Sequence, residues 1–507
     1  MHTLELNGTT LSIHDFVNAV NSTSMRITLS ESAKQAVTAA RNTVENWVAN
    51  NEVVYGVTTG FGEFANVVIP HDELEELQEN LILSHSAGAG VWLEREVVRG
   101  MMLLRVNALA KGHSGIRLET LETLLQFLNL NIVPAVPSQG SVGSSGDLVQ
   151  LAHIALALIG KGSILMETGE VVPSKTILKK NNIKPVVLKA KEGLALINGT
   201  QMMCSYGALA VEKAGKLANI ADISGALSLD ALRGTDTAFD ERIHKLRGFS
   251  GQLQTAKNLR ELIAGSQIRE SHRTGDGHVQ DAYSLRCMPQ VHGASRDAIN
   301  YVFNVISTEL NSANDNPLIF PDTNEHIEGG NFHGQPLALA LDFLAIACSE
   351  LSNISERRTE RLVNGALSNG LPRFLAKKGG VQSGMMIAQY TSASIVSENK
   401  VLSHPASVDS IPTSGNQEDH NSMGSISAQK AWKVVHNLQI VLAIELLCAA
   451  QAIEFLRPLR SSPQLENVMK LIRRVVPAAE NDRIIHNDIQ QVITLIESGL
   501  LDSILKS

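Results

Sequence analysis

The chain has 507 residues, with 43 Lys and Arg against 51 Asp and Glu and a formal net charge of −8. This length exceeds the roughly 250 to 300 residues at which a single core stops growing, so more than one domain is expected. The acid excess offers no general attraction to nucleic acid or to an anionic membrane.

Residues Met1 to Leu6 have neither the basic region nor the apolar core of a signal peptide, so the protein is read as cytoplasmic rather than secreted. Cys204, Cys287, Cys348 and Cys448 form no CxxC pair and suit free thiols in a reducing compartment. Leu4 to Leu11 alternates around Asn7-Gly8, which predicts a short N-terminal hairpin. Helix dominates after that, because 15 prolines in this length is below the roughly 5% average and long Leu/Ala/Ile/Glu windows run unbroken. The apolar spacing predicts helices over 30–49, 72–86, 95–111, 117–129, 147–160, 201–228, 294–312, 335–363, 382–402 and 425–457.

Residues 170–191 turn Lys-rich and β-prone, with Pro173 and Pro185, and predict short strands or loop. The segments 337–348 and 438–455 are apolar nearly all round, the mark of helices buried on every side. They are too short, or carry Asp342, Glu445 and Glu454, to read as membrane spans. The fold class is therefore mainly α. It divides into an N-terminal, mainly helical domain over 1–195 and a long-helix bundle over 196–507, the latter placed at the centre of an oligomer.

Gly140-Ser141-Val142-Gly143-Ser144-Ser145-Gly146-Asp147 precedes an apolar helix. Glycine's open dihedrals would let the Gly146 nitrogen reach the Ser144 carbonyl carbon. Loss of the Ser145 hydroxyl would then leave an exocyclic methylidene, an electrophile that ordinary side chains lack. The loop by itself reads first as a plain turn with a helix cap, ahead of the cyclised electrophile, and last as an anion cradle, since it lacks the P-loop lysine and a dinucleotide fingerprint.

Other polar segments fall at breaks between helices. They are Val54-Tyr55-Gly56 through Gly62, Ser84-His85-Ser86, Asn198-Gly199-Thr200-Gln201, Gln280-Asp281-Ala282-Tyr283-Ser284-Leu285-Arg286, Asn314-Asp315-Asn316-Pro317, Gly329-Gly330-Asn331-Phe332-His333-Gly334 and Asn416-Gln417-Glu418-Asp419-His420. Together with Ser144-Ser145-Gly146 they resemble, in order and over about residues 50–460, the aromatic amino acid ammonia-lyase family.

That resemblance implies a fumarase/aspartase-like long-helix fold, a homotetramer with active sites shared between subunits, and an amino acid substrate. It implies a 4-methylidene-imidazol-5-one formed autocatalytically from Ser144-Ser145-Gly146, with no external cofactor and no metal. By the same resemblance Tyr55 is the general base, and Tyr283 with Arg286 holds the substrate carboxylate. Asn198 and Gln280 are polar contacts to electrophile and substrate, while His85 and Phe332 contact the substrate ring. The family usually has alanine where this chain has Ser144; ring closure uses that residue's carbonyl, so the hydroxymethyl group is expected to be tolerated.

Glu418 separates the branches of the family. A carboxylate can accept an imidazole N–H, whereas against a phenyl ring it would be a charge without a partner. Ser84-His85 and the run Ala406 to Pro412 also match the branch that acts on L-histidine. A phenylalanine or tyrosine lyase, or an aminomutase, remains the alternative, and a noncatalytic helical scaffold is the remote one. Considered singly, Glu418 could be a helix-start carboxylate, His85 a structural histidine, Tyr55 a packed aromatic, and Arg286 an ion-pair partner of Asp281.

Overall fold

In the computed structural model, which describes residues 3–275 and 279–505, every helix expected from apolar spacing forms. They are Glu31–Ala49, Leu74–His85, Arg95–Ala110, Leu118–Asn129, Leu148–Leu158, Gln201–Ala231, Met288–Glu309, Gln335–Val363, Met386–Leu402 and Gly424–Glu454. Local chemistry sets several starts. Ser30 accepts the Ala33 N–H at 3.1 Å, and so caps Glu31–Ala49. Ser462 does the same for Pro463–Val475, which opens on the proline favoured in a first turn. This last helix was not anticipated, although Leu465, Val468, Met469 and Ile472 line its buried face at helical spacing.

The chain divides into two compact units. One comprises Met1–Glu212, Phe303–Asp342 and Pro405–Gln429, and the other Lys213–Val302, Phe343–His404 and Lys430–Ser507. The division therefore does not fall near residue 195. A compositional change marks the Lys-rich segment, but pieces far along the chain pack with the first 212 residues, and four of the five unit boundaries lie inside long helices.

The N-terminal hairpin is not formed. Thr3–Leu6 pairs in parallel with Arg26–Leu29, with the helix Ile13–Asn21 between them. Asn7 instead folds its side chain onto the following backbone, accepting the Thr9 and Thr10 N–H groups at 2.9 and 3.1 Å. This competes with a hairpin ladder. The Gly8 N–H goes to Asn107 at 3.0 Å and the Leu11 N–H to Asn311 at 2.9 Å, so Leu11 has no strand to join. Within 170–191, Val171–Pro173 pairs antiparallel with Ser163–Leu165, and a short helix, Ser174–Lys180, follows.

Gln335–Val363 and Gly424–Glu454 are long and apolar enough to cross a membrane, longer than the sequence segments suggested. Most of each apolar stretch is buried within the protein, so these are core helices. In the second unit Glu445 is fully buried and accepts hydrogen bonds from Ser224, Ser228 and Ser355 at 3.0, 2.7 and 2.6 Å. Arg358 grips both its oxygens at 2.5 and 2.9 Å, which holds the carboxyl below its usual range against the cost of burial.

In the first unit Trp47 packs with Val44, Val54, Val57 and Leu74, directly under the segment that carries Tyr55. Arg95–Ala110 is buried from Val97 onward, and its Arg99 spends its donors on the carbonyls of Val20, Ala19 and Leu128.

Candidate active site

The Gly-Ser loop is held in left-handed backbone at Gly143, Ser145 and Gly146, with φ of +73°, +53° and +70°. Gly146 has no room for a side chain, since a Cβ there would lie 1.9 Å from the Gly199 carbonyl oxygen. The same carbonyl accepts the Asp147 N–H at 2.7 Å. Asp147 does not cap the helix it precedes. Its buried carboxyl instead accepts the Met202 and Met203 N–H groups at 2.9 and 3.1 Å, at the start of Gln201–Ala231, and the Ser141 hydroxyl at 3.1 Å. Burial pushes its pKa up to about 7 against those hydrogen bonds. The triplet is thereby pinned on both sides, beside a cavity that Ser144 and Ser145 both line.

That cavity lies in the first unit and has a volume of about 940 Å³. Tyr55, His85, Ser144, Ser145, Asn198, Phe332 and Glu418 all line it. The Ser145 hydroxyl donates to Glu418 Oε1 at 2.9 Å, and Thr413 Oγ1 donates to the other oxygen at 2.7 Å. Asn198 Nδ2 donates to the Ser145 carbonyl at 3.2 Å; in a cyclised triplet that carbonyl is the oxygen retained on the ring. Arg105, fully buried, donates to the Asn198 carbonyl at 2.7 Å and fixes the residue from behind.

Tyr55 stands in a turn closed by Thr58 Oγ1, which accepts the Val54 N–H at 2.9 Å and donates to Glu52 O at 2.6 Å. Its hydroxyl accepts the Gly62 N–H at 3.4 Å. Burial raises the phenol above its ordinary pKa; that amide pulls it down, while Glu328 and Glu418 push it up. His85 closes Leu74–His85, with Ser84 Oγ 3.1 Å from its Nδ1, and burial lowers its pKa, which favours the neutral ring.

Gln280, Tyr283 and Arg286 are in the second unit and are not among the residues lining this cavity. Arg286 stacks on the Tyr283 ring at 4.7 Å, and its Nε is buried without a hydrogen-bond partner among the described residues. Tyr283 is 71% exposed. Sequence reasoning passed over Phe61, Asn316, Glu328 and His333, which also line the cavity. Phe61, Asn316 and His333 fall inside the polar segments between helices, but nothing in their spacing distinguishes them from turn residues.

A pinned Ser-Gly peptide, a tyrosine, a histidine and a carboxylate around one cavity form a set suited to proton removal beside an aromatic ring. The whole chain carries the likeness. The family model for aromatic amino acid lyases matches residues 11–474. The chain is 52% identical over 506 residues to the histidine ammonia-lyase of Caldanaerobacter subterraneus subsp. tengcongensis, covering 100% of this chain and 99% of that relative. Its structure superposes on that of histidine ammonia-lyase from Trypanosoma cruzi with a TM-score of 0.93 at 46% identity, covering 100% and 95% of the two chains. A tyrosine aminomutase from Streptomyces globisporus gives 0.92 at 37% identity, covering 99% and 98%. With the site geometry, these matches establish that the chain belongs to the aromatic amino acid lyase family.

Proposed function

We propose that this lyase eliminates ammonia from L-histidine to give trans-urocanate, the opening step of histidine breakdown in the cytoplasm. The observation that carries the reading is Glu418 Oε1, 2.9 Å from the Ser145 hydroxyl in the cavity. When Ser145 loses that hydroxyl, the carboxylate oxygen is released beside the electrophile and can accept an imidazole N–H. A phenyl ring would leave it unpaired.

The triplet fits a methylidene-imidazolone. The Gly146 nitrogen would add to the Ser144 carbonyl carbon, whose oxygen would leave as water with the amide hydrogens of Gly146 and Ser145; Ser145 would then lose its Cα proton and its hydroxyl as a second water. The resulting electrophile supplies an electron sink for the substrate amine, which makes it a better leaving group. Asn198 holds the Ser145 oxygen where negative charge develops. Phe332 and neutral His85 flank the ring, Glu418 accepts its N–H, and Tyr55 takes the β-proton.

Because burial raises the Tyr55 pKa, the phenolate fraction is small at neutral pH and grows as pH rises. The expected result is a kcat that climbs through pH 8 to 10 in wild type, and a Tyr55→Phe variant slower by roughly 10²- to 10⁴-fold with KM little changed. A flat alkaline profile in steady-state assays would remove Tyr55 from this role.

The charged lining of the cavity includes the carboxylates Glu63, Glu328, Glu418 and Asp419, while the guanidinium suited to a substrate carboxylate is Arg286 of the second unit. This favours a homotetramer in which Tyr283, Gln280 and Arg286 of one copy complete the cavity of another. Exposed apolar side chains at helical spacing, Leu339, Phe343 and Ile346, support association between copies. Coexpressing Ser145→Ala and Arg286→Ala chains, each inactive alone, is expected to restore a measurable share of activity in mixed oligomers. Mixed oligomers as inactive as either parent would contradict the sharing.

The function itself is tested by offering histidine, phenylalanine and tyrosine to the purified protein and reading product absorbance. Urocanate should form far faster than cinnamate or coumarate. The reverse order would assign the chain to a sister branch.

A further inference from the structure

We propose that the Ser144 hydroxyl is a positioning group for Glu418, tying the electrophile loop to the strap 410–422 that carries the substrate-ring acceptor; this rests on the histidine reading above. The side chain at Ser144 is only 5% exposed and its oxygen has three partners. It accepts the Ser422 N–H at 3.3 Å, faces the His420 carbonyl at 3.4 Å, and meets His333 Nε2 at 3.4 Å. His333 Nδ1 accepts the Gln335 N–H at 3.3 Å, so Nε2 is the ring nitrogen that donates. Its proton points to the His420 carbonyl, 3.1 Å away, and to Ser144 Oγ. The hydroxyl therefore donates once, to His420, and accepts twice, from Ser422 and His333. The His333 and His420 rings stack beside it, with centroids 5.8 Å apart and planes 8° from parallel.

The strap needs such a tie. Glu418 ends a turn in which Ser414, Gly415 and Asn416 are exposed and take φ of +51°, +61° and +71°. The turn is closed on itself by Thr413 N–H to Glu418 O at 3.0 Å and Thr413 Oγ1 to Glu418 Oε2 at 2.7 Å. These bonds fix Glu418 relative to Thr413 but not relative to the triplet. The direct bond from Ser145 to Glu418 disappears when Ser145 loses its hydroxyl. Ser144 keeps its own, because ring closure consumes its carbonyl oxygen and not Oγ. The Ser422 hydroxyl still donates to the Gly143 carbonyl at 2.7 Å and the Met423 N–H to the Val142 carbonyl at 2.8 Å without it, so the fold does not depend on this side chain.

The test is Ser144→Ala, which installs the residue usual in the family. We expect KM for L-histidine to rise roughly three- to tenfold with kcat within about twofold. The intact mass should still lie two waters below the encoded mass, which separates positioning from ring formation. In a Glu418→Gln background the same substitution should change KM by less than about 1.5-fold, since the strap then positions no carboxylate.

Wild type that makes urocanate while Ser144→Ala leaves KM unchanged overturns this inference alone. An equal rise in both backgrounds, or incomplete water loss, overturns it too, by showing a general structural or maturation role. Wild type that makes no urocanate from histidine overturns the histidine reading and this inference with it.

Discussion

Ser145→Ala is expected to lower deamination of L-histidine by at least roughly 10³-fold while the protein stays folded. In the proposed cyclisation the hydroxyl is the leaving group whose loss creates the methylidene carbon, and alanine has nothing to lose, so no electrophile could form. The cost to the fold is small. Ser145 already occupies left-handed backbone at φ +53°, and alanine replaces one non-glycine residue with another there. The main interaction lost is the 2.9 Å hydrogen bond to Glu418, whose carboxylate keeps its 2.7 Å bond from Thr413. Circular dichroism and a melting curve close to wild type, beside an inactive enzyme, are the predicted pair of results. Near-normal turnover in this variant would show that the chemistry does not pass through Ser145.

Glu418→Gln is expected to lower kcat/KM for histidine by roughly 10²- to 10³-fold, equivalent to about 3 to 4 kcal/mol of lost transition-state stabilisation. The amide is nearly isosteric and its oxygen can still accept from Thr413, but it bears no charge with which to stabilise an imidazole that gains positive character. Glu418 is half-buried on a strap, so the melting temperature should move little. A useful internal control is phenylalanine, whose slow turnover should fall less, because its ring never engages the carboxylate. An unchanged histidine rate would remove the physical reason for choosing the histidine branch.

Much of the site was legible because it rests on local sequence. The glycines at 143 and 146 signalled a backbone with open dihedrals, and the structure holds both in the left-handed region, with Gly146 packed against Gly199. Tyr55, His85, Asn198, Phe332 and Glu418 were read from separate turns, and one cavity collects them. The long helices were equally legible, since their apolar runs report burial directly.

What failed were inferences about pairing across the chain. Asn7-Gly8 carries a hairpin signal, yet the strand partner comes from Arg26–Leu29, beyond an intervening helix, and no local pattern announces a parallel pair. The domain division near 195 failed for a related reason, because Phe303–Asp342 and Pro405–Gln429 join the first unit from far along the sequence. The hydroxyl of Ser144 looked like a tolerated departure from alanine. Its three partners lie at His333, His420 and Ser422, between 189 and 278 residues away, where sequence spacing is silent.

The central claim is that this chain makes its own electrophile from Ser144-Ser145-Gly146. High-resolution mass spectrometry of the wild-type protein, with the proteolytic peptide spanning the triplet, tests it most directly. The account predicts a peptide two waters lighter than its sequence, and a Ser145→Ala peptide that shows no second water loss. A wild-type peptide at its full encoded mass would contradict it.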